Sequence, residues 1–118
     1  MIFDHEKLDV YNLSLEFVGW VFERVSKLRG VNRFARDEVL RASQSIPRNV
    51  AEGNGKRSIN DRKRYLEIAR GSALECAAIL DELVLMNALG TEDCDEGKKY
   101  LKRIVSMLTK MTERSKKT

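Results

Sequence analysis

The 118 residues are ordinary for one domain and too few for two. Apolar residues make up 42% and charged ones 34%, enough for one core under a highly charged surface, and no run nears the ~18 apolar residues that span a membrane. The net charge of +4 is mild, and two isolated cysteines exclude a disulfide framework, so a reduced cytoplasmic protein is expected.

The N-terminus, Met1-Ile2-Phe3-Asp4-His5-Glu6, has neither a basic nor an apolar stretch of the kind a secretory signal needs. The first helix is predicted over residues 7–28. Leu8, Tyr11, Leu15, Val18, Phe22 and Val25 alternate spacings of three and four, which makes one seam, and Gly30 provides a stop. Val10, Leu13, Phe17, Trp20 and Val21 form a further apolar set outside that seam. A helix in a lone bundle needs one stripe, so the second implies another surface to cover, a subunit interface being the simplest.

The second helix is predicted over 32–52, with Ala35, Val39, Ala42, Ile46 and Val50 on one face. Pro47 lies inside it and predicts a kink or break, and Gly53-Asn54-Gly55 predicts its end. The third helix, over 59–89, has Ser58 as N-cap with Asp61 in the capping-box position. Its seam is Leu66, Ala69, Ala73, Cys76, Leu80 and Leu83, and Gly90 ends it. Asp93 and Glu96 make a capping box for the fourth helix, over 93–113, with Leu101, Ile104, Leu108 and Met111 as seam. Residues 114–118 are polar and are expected to fray. Short connections between long helices force antiparallel neighbours, so the single domain over 1–118 is read as all-α, an up-down-up-down four-helix bundle.

Charge is segmented along this frame. Residues 33–70 carry a net +5, residues 71–97 hold seven acids and no Lys or Arg, and residues 98–118 carry a net +7. Arg48, Lys56, Arg57, Arg62, Lys63 and Arg64 form one basic block, and Lys98, Lys99, Lys102 and Arg103 a second. Such densities suit salt-sensitive binding to phosphate backbones, although a solvated surface offset by the acidic segment fits composition as well. In an up-down bundle the third and fourth helices start at opposite ends, so the two blocks need not merge within one subunit.

Catalytic and metal readings find no support. Gly53-Asn54-Gly55-Lys56 lacks the earlier glycine and the leading strand of a phosphate loop. His5 is the one histidine, Cys76 falls on an apolar seam, and Cys94 sits among carboxylates that disfavour a thiolate. No cofactor is implied. Ser45, Asn49 and Glu52 share one face of the second helix, and Arg70 and Glu75 lie in the small-residue part of the third. Such groups can be buried together only if they satisfy one another, and spacing leaves a solvated edge equally open.

The segment Leu40–Gly53, centred on Ser45-Ile46-Pro47-Arg48-Asn49-Val50-Ala51-Glu52-Gly53, and the segment Tyr65–Glu75, containing Ala69-Arg70-Gly71-Ser72, resemble a known bacterial signature. It is that of small four-helix-bundle proteins encoded in intervening sequences of 23S ribosomal RNA genes, to which the accessory variability determinant of diversity-generating retroelements is similar. Val50 in place of isoleucine is a mild departure. The resemblance covers nearly the whole chain. It implies a homopentameric barrel of bundles with basic outer faces, nucleic-acid binding and, for the retroelement relative, a reverse transcriptase partner. It also implies that Asn49, Glu52, Arg70 and Glu75 form a buried network that specifies structure, not a catalytic site. The function expected is therefore a non-catalytic homo-oligomeric module binding RNA or DNA through phosphates, or alternatively an adaptor for a partner enzyme such as a reverse transcriptase.

Overall fold

The computed structural model describes the backbone of residues 2–116 and the side chains of residues 2–114. Helices α1 (Asp9–Val25), α2 (Arg33–Gly55), α3 (Ile59–Leu85) and α4 (Thr91–Lys116) follow one another, with short 3-10 turns at Asp4–Lys7 and Gly30–Asn32 and no strand among the described residues. Each helix packs against the next and α4 closes back onto α1, so the four occupy the corners of a square. Cross-links fix the directions. Arg41 meets Glu75 and Ser45 meets Ser72, so α2 and α3 are antiparallel; Arg70 meets Thr109 and Asp81 meets Lys98, so α3 and α4 are too. The result is the expected up-down-up-down bundle. No helix among the described residues is long and apolar enough to cross a membrane.

The seams read for α2 and α3 are all buried, as are Leu101, Ile104 and Leu108 of α4. For α1 the stripe outside the expected seam, Val10, Leu13, Phe17, Trp20 and Val21, enters the core; of the expected seam Val25 is buried and Leu8 and Tyr11 pack partly against the core, whereas Leu15 and Phe22 stay exposed. The physical reason is α4. Gly97 is buried under Trp20, where a Cβ would lie 2.5 Å from the indole, and the Tyr100 ring packs tilted against Phe17 with centroids 5.9 Å apart. Only the stripe carrying those two aromatic rings fits that surface.

Several helix ends also differ from expectation. Helix α1 spans 9–25, not 7–28, and residues 4–7 form a separate 3-10 turn. Helix α2 is continuous through Pro47, whose ring is buried, and runs to Gly55 without a left-handed residue. The backbone needs Gly53 for another reason: a Cβ there would come 2.9 Å from the Cβ of Tyr65 on α3. Helix α3 stops at Leu85, four residues early, because Asn87 takes the left-handed conformation with φ 58° and Ala88 N–H donates back to the Leu83 carbonyl at 2.9 Å. Ser58 caps α3 as expected, accepting from Asp61 N–H at 3.3 Å. Helix α4 begins at Thr91, before the expected box. Asp93 and Glu96 instead reach α1, accepting from Arg24 Nε at 3.3 Å and Trp20 Nε1 at 3.1 Å. Helix α4 also continues to Lys116 where fraying was expected; residues 117–118 lie outside the described residues.

Candidate nucleic-acid interface

One end of the bundle gathers the N-terminus of α1, the α2–α3 connection and the C-terminus of α4. The turn after α2 is held by Arg62, whose Nε donates to the Lys56 carbonyl at 2.6 Å, so Lys56 and Arg57 project from a fixed hairpin. Tyr65 lies between two cations, with Lys56 Nζ and Arg64 Cζ each 5.1 Å from its ring centre. Lys56 also meets Glu52 at 3.7 Å. Arg57, Arg62 and Arg64 are exposed and Lys63 is half-buried. Arg48, further back on α2, donates to Gln44 at 3.1 Å.

The antiparallel register adds two cations of α4, one of them in the segment where the sequence predicts fraying. Arg114 shares a cavity of about 170 Å³ with Arg62, over a floor of Gly53, Leu66 and Met111. Lys110 and Arg114 also line a second cavity, of about 330 Å³, against Leu8 and Val10 of α1. The signal for this is present in the sequence, since a C-terminal basic segment in an up-down bundle must return to the end where the third helix starts.

The second basic block lies elsewhere. Met111 is level with Arg62, so Lys98–Arg103 sit ~12–20 Å nearer the opposite end at 1.5 Å per residue. Lys99, Lys102 and Arg103 are exposed on α4, while Lys98 is bonded to Asp81 at 2.5 Å, which raises its pKa. The two blocks thus remain separate within one copy, as the antiparallel order requires.

The expected polar network divides into separate pairs. Ser45 and Ser72 hydroxyls lie 2.8 Å apart, and Asn49 Nδ2 donates to the Ser45 carbonyl at 2.8 Å and its Oγ at 2.9 Å, so this part is real and half-buried between α2 and α3. The other three members are elsewhere. Arg70 turns to α4 and donates to Thr109 at 2.9 Å. Glu75 accepts from Arg41 at 2.7 Å near the surface, and Glu52 is exposed beside Lys56. Glu75 reaches a cation on α2, Glu52 one at the C-terminal cap of that helix, and Arg70 a neutral hydroxyl on α4, so the three do not converge on Asn49. Ser72 escapes a reading of the sequence, because its only advance sign is its place in a small-residue stretch.

The acidic segment is largely taken up inside the chain. Asp93 and Glu96 pair with Arg24, Glu75 with Arg41 and Asp81 with Lys98. Both cysteines are buried and free. Burial pushes the Cys76 thiol up to about 12, with Glu75 adding to it. Cys94 is raised as well, chiefly by burial and less by the carboxylates that the sequence points to. No group of three or more His, Cys, Asp or Glu among the described residues could hold a metal ion.

Residues 6–110 match the model of the 23S rRNA-intervening sequence protein family. The chain belongs to that family. Among solved structures it is similar to a protein of unknown function from the S23 ribosomal protein family of Bacteroides thetaiotaomicron VPI-5482, with a TM-score of 0.79 at 23% identity. The match covers 87% of this chain and 97% of that one, and it shows the shared fold. No curated protein matches the sequence.

Proposed function

We propose that this family member is a non-catalytic, self-associating module that binds nucleic acid through its phosphates. The observation that carries the reading is the basic end of the bundle, where α4 brings Arg114 to the side of Arg62 in the Lys56–Arg64 block, with Lys110 beside Arg114 against α1. Cations from separate chain segments, held on helix ends and a braced hairpin, suit a phosphate backbone. RNA and DNA duplexes both present such a backbone. The exposed Lys99 and Arg103 extend the basic surface once copies assemble, five copies being the number that the family resemblance implies. Four acids of the acidic segment are already paired with Arg24, Arg41 and Lys98, which leaves an adaptor only Glu82, Glu92 and Asp95.

Fluorescence anisotropy with a structured RNA and a DNA duplex, titrated across ~50–200 mM salt, tests this. Affinity is expected to fall steeply with salt for both. Reversing charge at Arg62 and Lys63 together should weaken both complexes and reduce the salt slope by about 1 for each phosphate no longer neutralised. Absence of binding at low salt, or binding indifferent to salt, overturns the reading.

A further inference from the structure

Each copy has two apolar faces that its own fold leaves open, and they lie on opposite sides of the square. On the α1–α2 face, Leu15 and Phe22, 44% and 60% exposed, border a groove of about 680 Å³ that Leu15 lines with Tyr11, Val18, Pro47 and Ala51, and whose lining also includes the opposite charges Arg48 and Glu52. On the α3–α4 face, Leu74, 48% exposed, stands beside a groove of about 430 Å³ over Ala73, Ala77, Leu101 and Val105. Each face therefore offers both exposed apolar side chains and a groove.

Two further features point to a second copy as the occupant. Gly19 of α1 and Gly71 of α3 are exposed in mid-helix, and a Cβ at either would meet nothing within 4 Å. Glycine weakens a helix interior, and packing within one copy has no use for these two. Against a neighbouring helix they allow close approach. Charge is complementary as well. Glu16 and Glu23 directly follow Leu15 and Phe22 on the exposed side of α1. Lys98 and Lys102 line the opposite groove, where Lys98 is shared with Asp81 and Lys102 has no ion pair among the described residues.

We propose that the α1–α2 face of one copy docks on the α3–α4 face of the next, with Leu15 and Phe22 entering the Ala73–Val105 groove and Leu74 entering the groove beside Pro47. A face paired with its own kind would set Glu16 and Glu23 near their equals and leave the other face bare. Head-to-tail docking covers both faces of every copy inside the assembly. This rests on the self-associating reading above and adds which surfaces meet.

The test uses the full chain and two variants, Leu15→Glu and Leu74→Glu, both at exposed positions, with circular dichroism to confirm that each folds. Native mass spectrometry at micromolar concentration should give an oligomer for the unaltered chain and a monomer for each variant. Mixed in equal amounts, the variants should form a one-to-one dimer and nothing larger, because each retains one intact face. If either folded variant keeps the parent mass, or the mixture stays monomeric, the head-to-tail arrangement is wrong while self-association stands. If the unaltered chain is itself a monomer, both ideas fall.

Discussion

Helix α1 carries two apolar stripes of similar length and spacing, and only one of them is core. Phe17 is fully buried against Trp20 and Tyr100, while Phe22, five residues on, is 60% exposed. Periodicity cannot separate them, because each stripe satisfies the three-and-four spacing of a buried helix face. The choice is made by the opposing helices. Helix α4 offers Gly97, a flat place for an indole, and Glu96, an acceptor 3.1 Å from its N–H. The stripe with Tyr11, Leu15, Val18 and Phe22 finds only the shallow side of α2. An apolar stripe is thus a statement that something must cover it, and the partner's shape decides whether that cover is intramolecular.

Substituting the two phenylalanines tests this directly and carries the largest expected effect. Phe17→Ala should cost ~3–5 kcal/mol, the usual range for deleting a buried aromatic ring. Phe22→Ala should change the stability of an isolated copy by no more than ~0.5 kcal/mol. Its effect should appear only in the part of stability that depends on protein concentration. Urea unfolding at two widely separated concentrations distinguishes the terms. Equal losses at both positions would mean that the stripes are not different in kind.

Gly97 sharpens the comparison from the other side. A methyl group there meets Trp20 at 2.5 Å and Leu80 at 2.8 Å, and a rigid indole cannot move aside without disturbing α1. Gly97→Ala should cost ~1–3 kcal/mol from overpacking, partly offset by the gain in helix propensity. In a Trp20→Leu background the same change should be neutral or stabilising. Thermal melts of the four proteins in a double-mutant cycle measure this, and an undiminished penalty in that background would place its cause elsewhere.

The bundle is legible in the sequence because one proline and regular apolar spacing leave few alternatives, and the seams of α2 and α3 enter the core residue by residue. What escapes is set by pairs distant in sequence. Asp93 and Glu96 have the spacing of a cap, yet Trp20 and Arg24 claim them from α1. Gly90 is the expected end of α3 because glycine is the commonest left-handed residue, but Asn87 adopts that conformation first. In the polar set, the four-residue step from Ser45 to Asn49 holds because it is local to one helix, whereas Arg70 and Glu75 find partners on α4 and α2. The basic end is half legible. Its α2–α3 block is contiguous in sequence, but Arg114 joins it only through the antiparallel return of α4.

Gly19 gives the smallest effect and the most discriminating one. It sits on the exposed side of α1 with an ordinary helical backbone, the only left-handed glycine among the described residues being Gly30. Gly19→Ala should therefore stabilise an isolated copy by ~0.5–1 kcal/mol, since alanine loses less conformational freedom in a helix and meets nothing within 4 Å. Gly97→Ala, the same chemical change at a buried glycine, has the opposite sign. If the open stripe of α1 is an interface, the alanine at position 19 should at the same time weaken self-association, because the added methyl group holds the neighbouring helix away. Denaturant unfolding reads the first effect and sedimentation equilibrium the second. A gain in monomer stability joined to weaker assembly is the signature of a glycine kept for a partner, while a gain with assembly unchanged would put Gly19 outside the interface.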